Sequence, residues 1–201
     1  MIRRSIGATV VALTLVVGFA LPASAHGTPP RPRPTLTDIV AGSGGAFDHN
    51  PHDFDLLLRA VKAAGLADAL AAPGHLTVFA PDDRAFVALA RALGYHGRDE
   101  RGAYNAIVGA LTTLGNGNPI PVLKTVLLYH VLPVQLKAYK VAQRHTLTTL
   151  AGVDIRPDGF RLRDQAPALR DPRMIAGRVN IAAANGTVHV INRVLVPVAV
   201  G

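Results

Sequence analysis

The sequence predicts an α+β domain, with helices mainly in the N-terminal half and strands in the C-terminal half. Apolar residues recur at helical spacing early in the chain. Phe54, Leu57, Leu58, Val61 and Ala64 fall at i, i+3, i+4, i+7 and i+10 and define one apolar face. Beyond residue 150 the pattern becomes short β-rich runs around Pro157-Asp158-Gly159 and Asn185-Gly186, both turn signals. Helices and strands that segregate in this way argue against an alternating, doubly wound parallel sheet.

In chain order, Met1 to Ala25 reads as an export signal. Arg3-Arg4 precede an apolar run from Ile6 to Leu21, and Pro22-Ala23-Ser24-Ala25 forms a small-residue cleavage site. Residues 26–35 are a Pro/Arg-rich linker of polyproline II character, and the domain is placed at 36–198. Leu36 to Val40 starts a brief helix that the glycines from Gly42 to Gly45 end. Asp53 is the expected N-cap of the helix carrying Phe54, and Gly65 its stop. Leu66 to Leu70 makes a second short turn. Leu76 to Ala80 is a strand. Asp82 caps a helix with Phe86, Leu89, Ala90 and Leu93 on its apolar face, stopped by Gly94. Asp99 to Leu114 and Val122 to Tyr129 are helices separated by the loop Gly115 to Pro119. Val153 to Arg156 and Phe160 to Arg163 form one strand pair, Arg178 to Ala183 and Thr187 to Val196 another.

The 201 residues are 49% hydrophobic and 17% charged, enough apolar material for one medium-sized core. The absence of cysteine excludes a disulfide scaffold, a thiolate metal site and a thiol nucleophile. Signal removal leaves 19 basic against 13 acidic side chains, a net charge of +6. A basic exported chain suits anionic envelope polymers. Nucleic acid is a poor partner, because the charge is scattered, aromatics are only 5% and export removes the target. No segment after the signal has the roughly 18 apolar residues of a membrane span, so no integral membrane segment is expected.

Three motifs stand in order: Thr77 to Phe86 (Thr-Val-Phe-Ala-Pro-Asp-Asp-Arg-Ala-Phe), Leu127 to Pro133 around Tyr129-His130, and Asn185 to Pro197. Together they resemble the signatures of the fasciclin domain family. The resemblance covers about Leu36 to Pro197. It implies two packed β-sheets arranged as a wedge, with helices along one side, and an extracellular role in adhesion or matrix association. Thr77, Phe79, Pro81, Asp82, Phe86, Asn185, Gly186, His189, Asn192 and Pro197 are the motif positions. The family usually has an acidic residue where Asn192 stands. The stretches Gly44–Asp53 and Gly94–Pro121 are longer than usual.

The motif chemistry reads mainly as scaffold. Pro81 ends a strand because it donates no ladder hydrogen bond. Asp82 caps the following helix, and Asp83 complements its dipole. Tyr129-His130 is the candidate binding pair, although its apolar neighbours argue for burial with backbone partners. His49-x-x-His52, beside Asp48, Asp53 and Asp55, is a weak metal candidate, and no metal or other cofactor is assigned. No catalytic residues are assigned: no serine has a nucleophile-elbow setting, and the neighbouring carboxylates mark helix starts. The reading is therefore a non-enzymatic, secreted adhesion or interaction module. Its partner is an extracellular protein or an anionic envelope polymer. A carrier of small molecules or lipids in an apolar groove is the main rival, and a metal-dependent hydrolase on the His49/His52 loop the weakest.

Overall fold

The computed structural model describes residues 32–48 and 50–197. The export signal, most of the linker and His49 lie outside these residues. The first element is α1 (Leu36–Ser43). Thr35 and Asp38 form a reciprocal capping box at its start, and the helix runs through Gly42 to end at Gly44. Next come α2 (Asp55–Ala63), α3 (Ala67–Ala71), β1 (Leu76–Pro81), α4 (Asp83–Ala92), α5 (Glu100–Leu114) and α6 (Pro119–Tyr129). The second half holds β2 (Val131–Leu132), α7 (Ala138–Ala142), β3 (Leu147–Thr148), β4 (Asp154–Asp158), β5 (Arg161–Arg163), β6 (Ile181–Ala183) and β7 (Gly186–Ile191).

The strands form two sheets, ordered β2-β1-β7-β6 and β3-β4-β5. β1 and β7 pair in parallel over their full lengths, from Leu76↔Gly186 to Pro81↔Ile191. All six residues of β7 are buried, as befits a central strand covered on both faces. Side-chain alternation then separates two cores. Val78, Ala80, Val188 and Val190 face the helices and pack with residues such as Leu57, Phe86, Ile107 and Leu127. Phe79 and Ile191 face the other way and pack with Ile155 of β4, Leu162 of β5, Tyr129 and Leu195. The result is the α+β architecture of two sheets flanked by helices.

The local expectations hold best where a cap and its helix are adjacent. Asp82 caps α4, accepting from Ala85 N at 3.2 Å, and Asp99 caps α5, accepting from Gly102 N at 2.7 Å. Gly65 and Gly94 follow their helices at φ 65° and 95°.

Elsewhere the structure corrects the sequence. α2 starts at Asp55, not after Asp53, and its N-cap residue Phe54 contributes no side-chain bond. Its leading amides are capped from another helix: Asp83 accepts from Asp55 N at 3.0 Å and Leu56 N at 2.8 Å. Asp83, in the first turn of α4 as expected, is fully buried and also serves the start of α2. α6 begins three residues before Val122, at Pro119, because proline suits the first helical turn. Pro157 and Asp158 lie in the β4 ladder opposite Leu162 and Arg161, so the reversal is made by Gly159-Phe160. β6 is shortened to Ile181, since Asn180 adopts φ 62°.

The second hairpin also closes differently. Ala183 pairs with Gly186, leaving Ala184-Asn185 as its two-residue loop. Gly186 is a strand residue whose missing side chain matters for contact: a Cβ there would lie 2.4 Å from Leu76 O of the parallel neighbour. Beyond Ile191 the chain leaves the ladder but stays buried from Val194 to Pro197. α7 and β3 have no marked sequence signal, and both contribute to the core between the sheets.

Candidate functional site

Tyr129 ends α6 and His130 is its C-cap residue, so both side chains enter the space where helices and sheets meet. Tyr129 is 0% and His130 3% exposed. The Tyr129 hydroxyl donates to Asp154 O at 3.0 Å, and burial holds its pKa well above the ordinary phenol range. His130 Nε2 accepts from Leu195 N at 2.9 Å. That nitrogen is therefore bare, and Nδ1 carries the proton that it donates to Val126 O at 2.7 Å. Burial lowers the His130 pKa to about 4, because a second ring proton would have no acceptor.

The remaining motif residues are similarly engaged. Thr77 Oγ1 donates to Val134 O at 2.6 Å and accepts from Leu136 N at 2.8 Å. His189 Nδ1 accepts from Asn180 N at 3.1 Å, and Nε2 donates to Leu136 O at 3.0 Å; burial lowers its pKa. Asn185 accepts from Leu36 N at 3.0 Å and donates to Leu70 O and Ala72 O, both at 2.8 Å. It is a buried staple between β7, α1 and α3. Asn192 Oδ1 accepts from Arg173 N at 2.9 Å, and its backbone N–H donates to Arg173 O at 3.1 Å. Phe79 and Phe86 lie in the two cores, and Pro197 lines an apolar groove described below.

The candidate histidine loop divides. His52 is exposed, with Nδ1 3.6 Å from Asp82 Oδ2. The same Asp82 oxygen accepts from Arg178 Nη1 at 3.0 Å, while Arg178 Nη2 donates to His52 O at 2.6 Å. Arg178 thus ties the first motif to the C-terminal half. Sequence reasoning missed it because 96 residues separate the partners.

One surface feature was also missed. Adjoining clefts of about 510 and 370 Å³ share Leu169, Arg170 and Arg193, and Arg84, Arg91, Arg161 and Arg173 complete their basic lining. Arg161 lies 3.9 Å from Asp171; among the described residues, no carboxylate pairs with the other five. Segments from residues 84–91, 161–173 and 193 build this surface, so no local charge run announces it. Separately, α4, α5 and α6 enclose an apolar groove of about 350 Å³, lined by Phe86, Ile107, Leu111, Leu123, Val126 and Pro197 among others. Leu93 and Leu114 line it and are exposed.

Comparison with known proteins agrees with this arrangement. The fasciclin domain model matches residues 52–197. Protein sll1483 of Synechocystis sp. is 31% identical over 163 residues, covering 81% of this chain and 73% of the relative. Protein sll1735 of the same organism is 32% identical over 145 residues, covering 71% and 88%. The transforming growth factor-beta-induced protein ig-h3 of Sus scrofa is 28% identical across 84% of this chain, which spans 20% of that longer protein. Among solved structures, a FAS1 domain pair from the insect cell adhesion molecule fasciclin I superposes with a TM-score of 0.52 at 15% identity. The match covers 82% of this chain and 51% of that one.

Proposed function

The chain belongs to the fasciclin domain family, and from that premise we propose that it is a secreted, non-catalytic interaction module that engages an anionic envelope polymer. The family occurs in extracellular proteins and is generally an adhesion or interaction module, without enzymatic activity. No helix among the described residues is long and apolar enough to cross a membrane. The export signal at 1–25 and the linker at 26–35 deliver the domain at 36–198, and N-terminal sequencing of exported protein should begin at His26.

The observation that carries the reading is the arginine-lined pair of clefts. Arg84, Arg170 and Arg173 are exposed there, and guanidinium forks match carboxylate and phosphate oxygens. Tyr129 and His130 act as structural members, because their polar atoms are spent on backbone partners. The test is binding of the mature protein to polyphosphate and to isolated envelope. Attraction of this kind is screened over about 8 Å at physiological salt, so raising salt to about 0.5 M should release the protein. Replacing Arg170, Arg173 and Arg193 together by Ala should weaken binding about tenfold or more with little change in melting temperature. Retention through high salt, or unchanged binding by the folded variant, overturns the reading.

A second reading, carriage of a small apolar ligand, is favoured by the groove between α4, α5 and α6. Its size lies at the lower end of ligand pockets, and its walls are almost wholly apolar. An environment-sensitive fluorescent fatty acid should brighten on binding, and Ala110→Phe, at a position on α5 that lines the groove, should fill it and abolish the signal. A folded Ala110→Phe protein that still binds the probe removes this reading.

A further inference from the structure

Five of the 13 acidic side chains gather at one place in a chain of formal charge +8. Asp48 and Asp53 come from the loop between α1 and α2. Asp55 opens α2, Asp83 opens α4 and Glu100 opens α5. Oxygens from Asp48, Asp53 and Asp55 lie within 4.8 Å of one another, as do oxygens from Asp53, Asp83 and Glu100. Asp53 belongs to both groups. Among the described residues, no Lys, Arg or His nitrogen lies within 4.0 Å of any of these five carboxylates.

Hydrogen bonding accounts for only part of the cluster. Asp83 spends both oxygens on the α2 amides. Glu100 accepts from Asp48 N at 3.0 Å. Asp55 accepts from Gly45 N, Asp53 from Asn50 Nδ2 at 3.1 Å and Asp48 from Asn50 N at 2.6 Å. Asp53 Oδ1 and Asp55 Oδ2 are left buried with no partner among the described residues, on side chains of residues only 8% and 1% exposed. Two buried, orphaned carboxylate oxygens with no cationic nitrogen within 4.0 Å among the described residues form an arrangement that a bound cation would satisfy; Arg59, one turn along α2, turns instead to the Phe47 ring and Gly45 O.

The donor set names the class of that counter-charge. All donors are oxygens, which select hard cations over zinc or copper. Three protein carboxylates in one place suit Ca²⁺, which takes roughly six to eight oxygens in flexible geometry, better than Mg²⁺, which keeps several of its waters and uses one or two carboxylates. Asp48 is exposed and leaves a side open for water to complete the coordination. We propose that Asp48, Asp53 and Asp55 form a calcium site, backed by Asp83 and Glu100, that fastens the loop between α1 and α2 to the start of α2. This site is independent of the arginine surface and of any partner bound there.

The experiment is calorimetric titration of EDTA-stripped, dialysed protein with CaCl₂ at pH 7.5, paired with thermal unfolding. MgCl₂ and NaCl at matched ionic strength are the controls. A dissociation constant of about 10⁻⁴ M, typical of extracellular modules, should raise the melting temperature by about 8 °C in 10 mM CaCl₂. Asp55→Asn should weaken calcium binding about tenfold. Asp55 also holds Gly45, so Asp48→Asn, on the exposed edge, serves as the second variant and should weaken it too. The proposal is overturned if the folded protein gives no calcium heat, if NaCl shifts the melting temperature equally, or if calcium binding survives both substitutions unchanged.

Discussion

His130 shows at single-residue scale how a motif histidine becomes structural. Its ring bridges Val126 O and Leu195 N and so closes the end of α6 onto the C-terminal segment. The sequence showed the apolar neighbours but not the distant partner, because Leu195 lies 65 residues away. The folded pKa of about 4 is below the ordinary 6.5, so the unfolded chain binds the extra proton more readily between those values. His130 therefore contributes full stability above about pH 6.5 and loses it as the pH falls toward 4, a change of about 3 kcal/mol. Thermal unfolding between pH 7.5 and 4.5 should show a steeper loss in the wild type than in His130→Gln. Asn185 makes the same point for the hairpin motif. It reads in sequence as a turn former, yet its amide serves three distant backbone groups. Asn185→Ala should cost about 3 kcal/mol or more by leaving them unpaired, measurable by urea unfolding.

Among the elements, legibility follows distance along the chain. The starts of α4 and α5 were readable because Asp82 and Asp99 cap their own helices. The start of α2 was not, because its cap is supplied by Asp83, 27 residues beyond Leu56. Burial, and next to it the neighbouring Asp53 carboxylate, push the Asp83 pKa up to about 8, the mark of a carboxyl held inside the fold. Asp83→Ala removes both bonds to the α2 amides and should cost about 1–2 kcal/mol. Hydrogen exchange should speed at Asp55 and Leu56 while the amides in the middle of α5 keep their protection. Equal acceleration in both helices would show that the bonds serve the whole fold and not α2 alone. The short elements α7 and β3 were invisible for another reason. Five- and two-residue elements carry too little periodicity to read, and the packing of Ala138, Val141 and Leu147 between the sheets holds them.

For the whole molecule, the α+β class, the helical first half and the family motifs were all legible in the sequence, since each rests on local pattern. The surfaces were not. The arginine clefts and the carboxylate cluster each collect residues from segments far apart, and only the folded chain brings them together. The pairing of β1 with β7 sets the order in which that folding happens. Their registered residues are 110 positions apart, and both cores need β7 as a wall. Neither core closes until almost the last residues of the domain have been synthesised, and loop closure of that length makes the search slow. A chain ending at Asn185 should stay uncooperative on heating, lacking the sharp transition of the complete protein. During synthesis the nascent chain thus remains open, and accessible to chaperones, until its final strand arrives.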